Sequence, residues 1–164
     1  MIVDCHGHYT TTPAAHAAFR QAQLARLADP SLAVPTRPEI ADEDIRTSVE
    51  DNQLAFLRER GGDLMIFSPQ ASAMAHHVPD EPTAVEWAQA SNDLVHRVTR
   101  LFPEHFAAAC QLPQTPGGDL GPVVDELRRC VERLGFVGAN VNPDPSVSWT
   151  FATARNSRRP LSLR

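Results

Sequence analysis

Short apolar segments alternate along the chain with longer segments of helical periodicity, and this alternation restricts the fold more than any other feature. The apolar segments, each of strand length, are residues 2–6, 63–69, 106–113 and 136–143. Strands separated by helices usually form parallel sheets, because a parallel neighbour is reached only through a crossover. The sequence therefore predicts an α/β chain of about four parallel strands with helical crossovers. Periodicity alone leaves open whether the strands form an open sheet or part of a (β/α)8 barrel.

Charge and hydropathy exclude several classes of partner. The net charge of the 164 residues is −5 and the basic residues do not cluster, so nucleic acid is not an expected partner. No apolar stretch approaches the ~20 residues of a membrane-spanning helix, and the N-terminus lacks the pattern of a signal peptide. Cys5, Cys110 and Cys130 are odd in number and have no CxxC spacing, which is more typical of a reducing compartment than of a disulfide scaffold. We therefore expect a cytoplasmic protein that does not bind membranes.

The last residues differ in composition from the rest of the chain. Four arginines and no acidic residue follow Asp144, and no helical or strand period is present there. We predict one domain over residues 1–149 and an irregular Arg- and Ser-rich tail over residues 150–164. Two explanations of this tail remain open, namely a disordered native segment and a frameshifted sequence.

Asp4, His6 and His8 alternate at the start of the chain and therefore share one face of the first predicted strand. Residues two apart lie ~6.6 Å apart along a strand, which allows two imidazoles to converge on one metal ion. In parallel α/β folds, functional sites form at the carboxyl ends of the strands, where this pair lies. We predict His6 and His8 as metal ligands. Asp4 either orients a ligand from behind or bonds to the neighbouring backbone.

A catalytic zinc site needs three protein ligands and one open position, so the remaining histidines were sorted by their predicted location. His16 and His96 are expected on the solvated faces of helices. His105 precedes the third strand, at the end of the sheet opposite to the metal pair. His76 and His77, in the loop after the second strand, lie on the correct side. Each of these two is either a third ligand or substrate contact, or a polar loop residue.

Two polar residues at strand ends are further candidates for substrate binding. Asn142 ends the fourth predicted strand, where it either bonds to a substrate carboxylate or carbonyl or caps the turn that follows. Ser68 ends the second strand and has the same two alternatives. Both residues are predicted at the edge of the sheet that carries the metal pair.

Several separate blocks of the sequence resemble one family. The D-x-H-x-H pattern of residues 4–8 is similar to the opening of the amidohydrolase superfamily. More narrowly, the chain resembles the 4-oxalomesaconate hydratase family, in the branch of the aminocarboxymuconate-semialdehyde decarboxylase relatives. The resembling blocks, in order along residues 1–149, are MIVDCHGHYTT, NQL, RERG, IFSPQAS, MAHH, LFPEHF, LPQTPG and NVNPDPS.

The resemblance implies a (β/α)8 barrel that holds one Zn²⁺, with His6 and His8 matching the ligands of the first strand. It implies a hydro-lyase that adds water to a carbon–carbon double bond of a small unsaturated oxo-carboxylic acid, during the bacterial breakdown of protocatechuate or gallate. The resemblance also suggests that the MAHH loop, with His76 and His77, lies near the substrate together with Asn142. A metal-dependent decarboxylase of the same superfamily is the alternative.

The chain also departs from the resembled family. Its members are much longer, and they draw further metal ligands and acid/base residues from the second half of the barrel. Half a barrel leaves two open sheet edges, so we expect the 164-residue chain to be marginally stable alone or to associate with another chain, for example as a homo-oligomer. A hypothesis of a different class is therefore a non-catalytic truncated fragment that at most binds metal or a partner.

Overall fold

The computed structural model describes residues 1–70, 73, 74, 76–78 and 80–142, so the predicted tail at residues 150–164 and the end of the predicted domain at residues 143–149 lie outside the described residues. The strands of the sheet are β1 (Val3–Tyr9), β2 (Leu64–Pro69), β3 (Phe106–Gln111) and β4 (Gly138–Asn140). They lie in the order β1-β2-β3-β4, and each neighbouring pair is parallel. The prediction of four parallel strands is confirmed.

Helices make every connection between these strands. They are α1 (Ala14–Ala28), α2 (Asp42–Val49), α3 (Ala55–Glu59), α4 (Glu81–Leu101) and α5 (Gly121–Arg128). A π-helical turn at Glu50–Leu54 joins α2 to α3, and a second one at Arg129–Arg133 follows α5. The sequence predicts an uninterrupted helix at each place, because a single π turn barely alters the spacing of apolar residues. Gly61 and Gly135 then end these helical segments with positive φ angles of 66° and 73°.

The start of α4 and the length of β4 differ from the sequence-based prediction. The capping box predicted at residues 83–86 is wrong, because the N-cap of α4 is Asp80, whose carboxylate accepts a hydrogen bond from the N–H of Thr83 (2.9 Å). β4 has three residues instead of the eight predicted at 136–143. Apolar residues next to a strand continue the apolar run without taking part in the ladder.

The apolar core lies between the sheet and the helices. Its largest fully buried apolar side chains are those of Tyr9, Phe67, Ile45, Leu54, Val49, Val95 and Val98. His16 of α1 belongs to this layer, since it is 6% exposed and its ring stacks on Trp87 with centroids 4.4 Å apart. The prediction of a solvated His16 is therefore wrong. Desolvation by burial lowers the pKa of His16 to about 4, so its ring is neutral at pH 7.

A buried polar network joins α4 to β3 and α5. Asn92 accepts a hydrogen bond from the backbone N–H of Gln111 (2.8 Å) and donates to the carbonyl of the same residue (2.9 Å). It also donates to Oε1 of Glu126 (2.6 Å), which is itself buried. Burial acts to raise the pKa of Glu126, but hydrogen bonds from Arg129, Asn92 and Cys130 together hold it below its usual value. The network therefore contains a buried, charged carboxylate.

β1 and β4 are the outer strands of the described sheet. Among the described residues, no further strand pairs with their free edges. Ile2 and Val3 are exposed in or beside β1, and Val137 and Val141 are exposed beside β4. The open, apolar edges predicted for half a barrel are therefore present in the described part of the chain. No described helix has the length and hydropathy needed to cross a bilayer.

Candidate metal centre

His6 and His8 converge at the carboxyl end of β1. Their Nε2 atoms are 2.9 Å apart, and their rings meet edge to face with centroids 4.5 Å apart. Two nitrogens that bind one ion at about 2.0–2.1 Å are separated by about 2.9 Å at an N–metal–N angle of about 90°, and by about 3.3 Å at the tetrahedral angle. The pair is spaced to bind a single ion, and imidazole nitrogens suit zinc and other transition metals.

His8 is held in one orientation by the neighbouring strand. Its Nδ1 lies 3.1 Å from the carbonyl oxygen of Pro69 and 2.8 Å from Oγ of Ser68. The Ser68 hydroxyl donates to the carbonyl of Gly7 (3.0 Å), so it accepts from Nδ1–H of His8. This arrangement places the ring proton on Nδ1 and leaves the lone pair of Nε2 directed at His6, as a metal ligand requires.

Asp4 does not contact either imidazole. Its Oδ1 accepts a hydrogen bond from the backbone N–H of His6 at 3.1 Å, which is the backbone-bonding alternative for this residue. The pairing of β1 with β2 shifts register between Asp4 and Gly7. Asp4 therefore holds the strand at the irregular step that precedes the two histidines.

The structure does not bring His76 or His77 into one ligand group with the first pair. Their rings pack against each other, with centroids 6.2 Å apart. Among the described residues, no group of three or more His, Cys, Asp or Glu side chains is placed to hold a metal ion. The described part of the chain thus supplies two ligands, where a catalytic zinc site needs three.

Asn142 connects three of the loops at the carboxyl edge of the sheet. Its backbone N–H donates to Oε1 of Gln114 (2.8 Å), and its carbonyl accepts from Nε2 of Gln114 (2.9 Å). Its own Nδ2 lies 3.3 Å from Sδ of Met74, in the loop that carries His76. The loops after β2, β3 and β4 therefore meet near Asn142.

The anchoring role of Ser68 was missed by the sequence analysis, which treated this residue as a substrate contact. Ser68 is buried, and its hydroxyl is occupied by His8 and by the carbonyl of Gly7. The contact depends on the pairing of His8 with Ser68 across two strands, separated by 60 residues of chain. Strand register is set by the partner strand and its packing, so a single sequence contains no direct signal for it.

Comparison with known proteins identifies similar hydratases. The family model described as amidohydrolase matches residues 3–161. A 2-keto-4-carboxy-3-hexenedioate hydratase from Sphingobium sp. (strain NBRC 103272 / SYK-6) is 54% identical over 145 residues, which are 88% of this chain and 42% of that protein. The crystal structure of 4-oxalomesaconate hydratase from Rhodopseudomonas palustris matches with a TM-score of 0.82 and 42% identity, over 90% of this chain and 44% of that one.

A decarboxylase is similar at lower identity. The structure of dihydroxybenzoic acid decarboxylase from Polaromonas sp. JS666, with bound manganese and the inhibitor 2-nitroresorcinol, matches with a TM-score of 0.58 and 27% identity, over 86% of this chain and 38% of that one. The chain thus spans less than half the length of these relatives. Its four parallel strands and their helices form a half-barrel that matches the (β/α)8 barrel of the hydratase, which confirms the fold class.

Proposed function

This chain belongs to the amidohydrolase family, and we propose that it contributes the β1 part of the metal site of a hydratase. The reaction is the addition of water to a carbon–carbon double bond of a small unsaturated oxo-carboxylic acid, with 4-oxalomesaconate as the candidate substrate in aromatic-compound breakdown. The observation that carries this proposal is the His6–His8 pair, with Nε2 atoms 2.9 Å apart, in a chain 54% identical to a hydratase.

We propose Zn²⁺ as the ion, held by Nε2 of His6 and Nε2 of His8. A zinc ion bound there would supply Lewis acidity toward an oxygen atom of the substrate. The protein's own contribution is orientation, because Ser68 and the carbonyl of Pro69 keep the proton of His8 on Nδ1. Asp4 supports the same segment through the N–H of His6.

We also propose that the substrate lies against the loops after β2 and β4. His76, His77 and Asn142 supply hydrogen-bonding groups at this edge of the sheet, and Asn142 contacts the β2 loop through Met74. These groups suit the carboxylates and the keto oxygen of the proposed substrate. In this proposal Ser68 acts on the site through His8 instead of touching the substrate.

With two ligands among the described residues, the 164-residue chain alone is proposed to bind zinc weakly and to turn over little substrate. We propose that the domain of residues 1–149 is one half of the catalytic barrel, and that further ligands come from the other half. The cytoplasm is the proposed location, because Cys5, Cys110 and Cys130 are free thiols.

A chimera separates the function of this half from the weakness of a half-barrel. Residues 1–142 of this chain would replace the matched part of the R. palustris hydratase, and the product is called the chimera below. We expect the chimera to hydrate 4-oxalomesaconate within about tenfold of the parent hydratase, that is, with a barrier raised by no more than ~1.4 kcal/mol. Loss of hydration in a folded, zinc-loaded chimera would refute the proposal. Release of CO2 from aminocarboxymuconate semialdehyde would support the decarboxylase instead.

Removing the Ser68 hydroxyl tests the orientation of His8. In the chimera, Ser68→Ala is expected to weaken zinc affinity about 10–100-fold, because His8 loses one of the two partners that keep its proton on Nδ1. The affinity is measured by competition with a chromophoric chelator. Ser91→Ala is the matched control, since Ser91 is an equally buried serine of α4 that bonds to His16. An unchanged affinity for Ser68→Ala would show that Pro69 alone orients the ring.

A further inference from the structure

Arg20 of α1 is a buried cation that lacks a carboxylate partner among the described residues. It is 5% exposed, and its guanidinium donates to Oε1 of Gln23 (3.1 Å) and to the carbonyl of Met74 (3.2 Å). Both partners are neutral. A guanidinium has five N–H donors, and the Nε donor of Arg20 has no partner at all. A buried charge with neutral, incomplete partners is unusual in a folded protein.

Arg20 lines a cavity of about 180 Å³ that lies between α1, α4 and the loops after β1 and β2. Trp87 lines the same cavity, and its indole N–H is also buried without a hydrogen-bond partner. The guanidinium carbon of Arg20 lies 4.9 Å from the centroid of the Trp87 ring. Two unsatisfied donors, one of them on a cation, therefore face one enclosed space, and an acceptor of negative charge would satisfy both.

We propose that this cavity binds a small monocarboxylate anion, held by the Arg20 guanidinium and the Trp87 indole N–H. The planar fork of a guanidinium matches the two oxygens of a carboxylate. The cavity is smaller than the ~300–1,000 Å³ of sites for drug-sized ligands, which suits an acid of a few carbon atoms. The site is separate from the two histidines and does not depend on a metal.

The charges around the cavity favour a monovalent anion over a phosphate dianion. Arg20 is protonated at pH 7, although desolvation by burial lowers its pKa to about 10. His16 also lines the cavity, and it is neutral at pH 7 because burial lowers its pKa to about 4. The described walls thus carry one positive charge, which one carboxylate neutralises.

Fluorescence of Trp87 provides a direct test in the 164-residue chain. The sequence has two tryptophans, so Trp149→Phe leaves Trp87 as the only one. We expect sodium acetate and sodium pyruvate, titrated against sodium chloride at constant ionic strength, to change the Trp87 emission saturably and to raise the melting temperature. Arg20→Met should abolish both effects, and Arg20→Lys should weaken binding at least ~10-fold, because the fork is lost while the charge remains. Arg58→Met, at an exposed arginine of α3, is the matched control and should change neither.

A second readout separates a binding site from a structural ion pair. Without added anion, Arg20→Met is expected to melt at the same or a higher temperature than the parent, because it removes a buried charge that has no counter-ion. Unfolding of Arg20→Met would overturn the proposal, since it would show that Arg20 is paired with a carboxylate of the chain. No response of the parent to either acid would mean that water alone fills the cavity, and a response that survives Arg20→Met would place the anion elsewhere. Either result would also overturn it.

Discussion

Asn92→Leu is expected to lower the free energy of unfolding by about 3–5 kcal/mol, a large part of the stability of a domain this size. Leucine is similar in volume to asparagine but offers no hydrogen bonds. The substitution leaves the N–H and the carbonyl of Gln111 without their Asn92 partner, and it removes one of the bonds to the buried carboxylate of Glu126. Desolvated groups that lose their partners pay the full cost of burial, which exceeds the net value of the bonds themselves.

Urea unfolding of the 164-residue chain, followed by circular dichroism, measures this loss. Thr99→Val is the matched control on the same helix, because the Thr99 hydroxyl bonds within α4 to the carbonyl of His96 (2.8 Å) and supports no other element. We expect the control to change stability by about 0.5 kcal/mol or less. If Asn92→Leu stayed within about 1 kcal/mol of the parent, the network could not be the link between α4, β3 and α5.

The order of strands and helices could be predicted because it rests on local spacing. The run Leu64–Pro69 is apolar, short and bounded by a glycine pair and a loop, and it forms β2 as expected. The same local reasoning placed His6 and His8 on one strand. Family resemblance supplied what spacing could not, namely that the strands belong to half of a (β/α)8 barrel.

The environment of individual side chains could not be predicted in this way. His16 and Arg20 lie in an Ala-rich helix with a weak apolar stripe, and by composition they read as surface residues. Their burial is decided by Trp87 of α4, which packs against both after more than 60 residues of intervening chain. The missing information is the tertiary contact, and no local propensity contains it.

The metal centre shows the same division between local and tertiary information. Alternation along β1 predicts that two imidazoles converge, and their Nε2 atoms are indeed in contact. The tautomer of His8, however, follows from the β1–β2 register that places Ser68 beside it. Sequence spacing thus identifies the candidate ligands, whereas strand pairing determines which of their nitrogens faces the ion.

His8→Ala in the chimera is expected to weaken zinc affinity by more than ~100-fold, because loss of an outer partner alone weakens binding about 10–100-fold and this change removes a ligand. Hydration of 4-oxalomesaconate should fall with the zinc content. His77→Ala is the matched control, since His77 is exposed and is not grouped with the metal pair, and its zinc affinity should stay within about twofold of the parent.

Chelator competition and metal analysis measure both variants, with a thermal melt to confirm folding. Because the Nε2 atoms of His6 and His8 are 2.9 Å apart, neither imidazole alone can replace the pair, and His6→Ala should match His8→Ala. Full zinc affinity in a folded His8→Ala chimera would refute the assignment of this ligand. An equal loss in His77→Ala would instead make His77 a third ligand and require the loop after β2 to close over the ion.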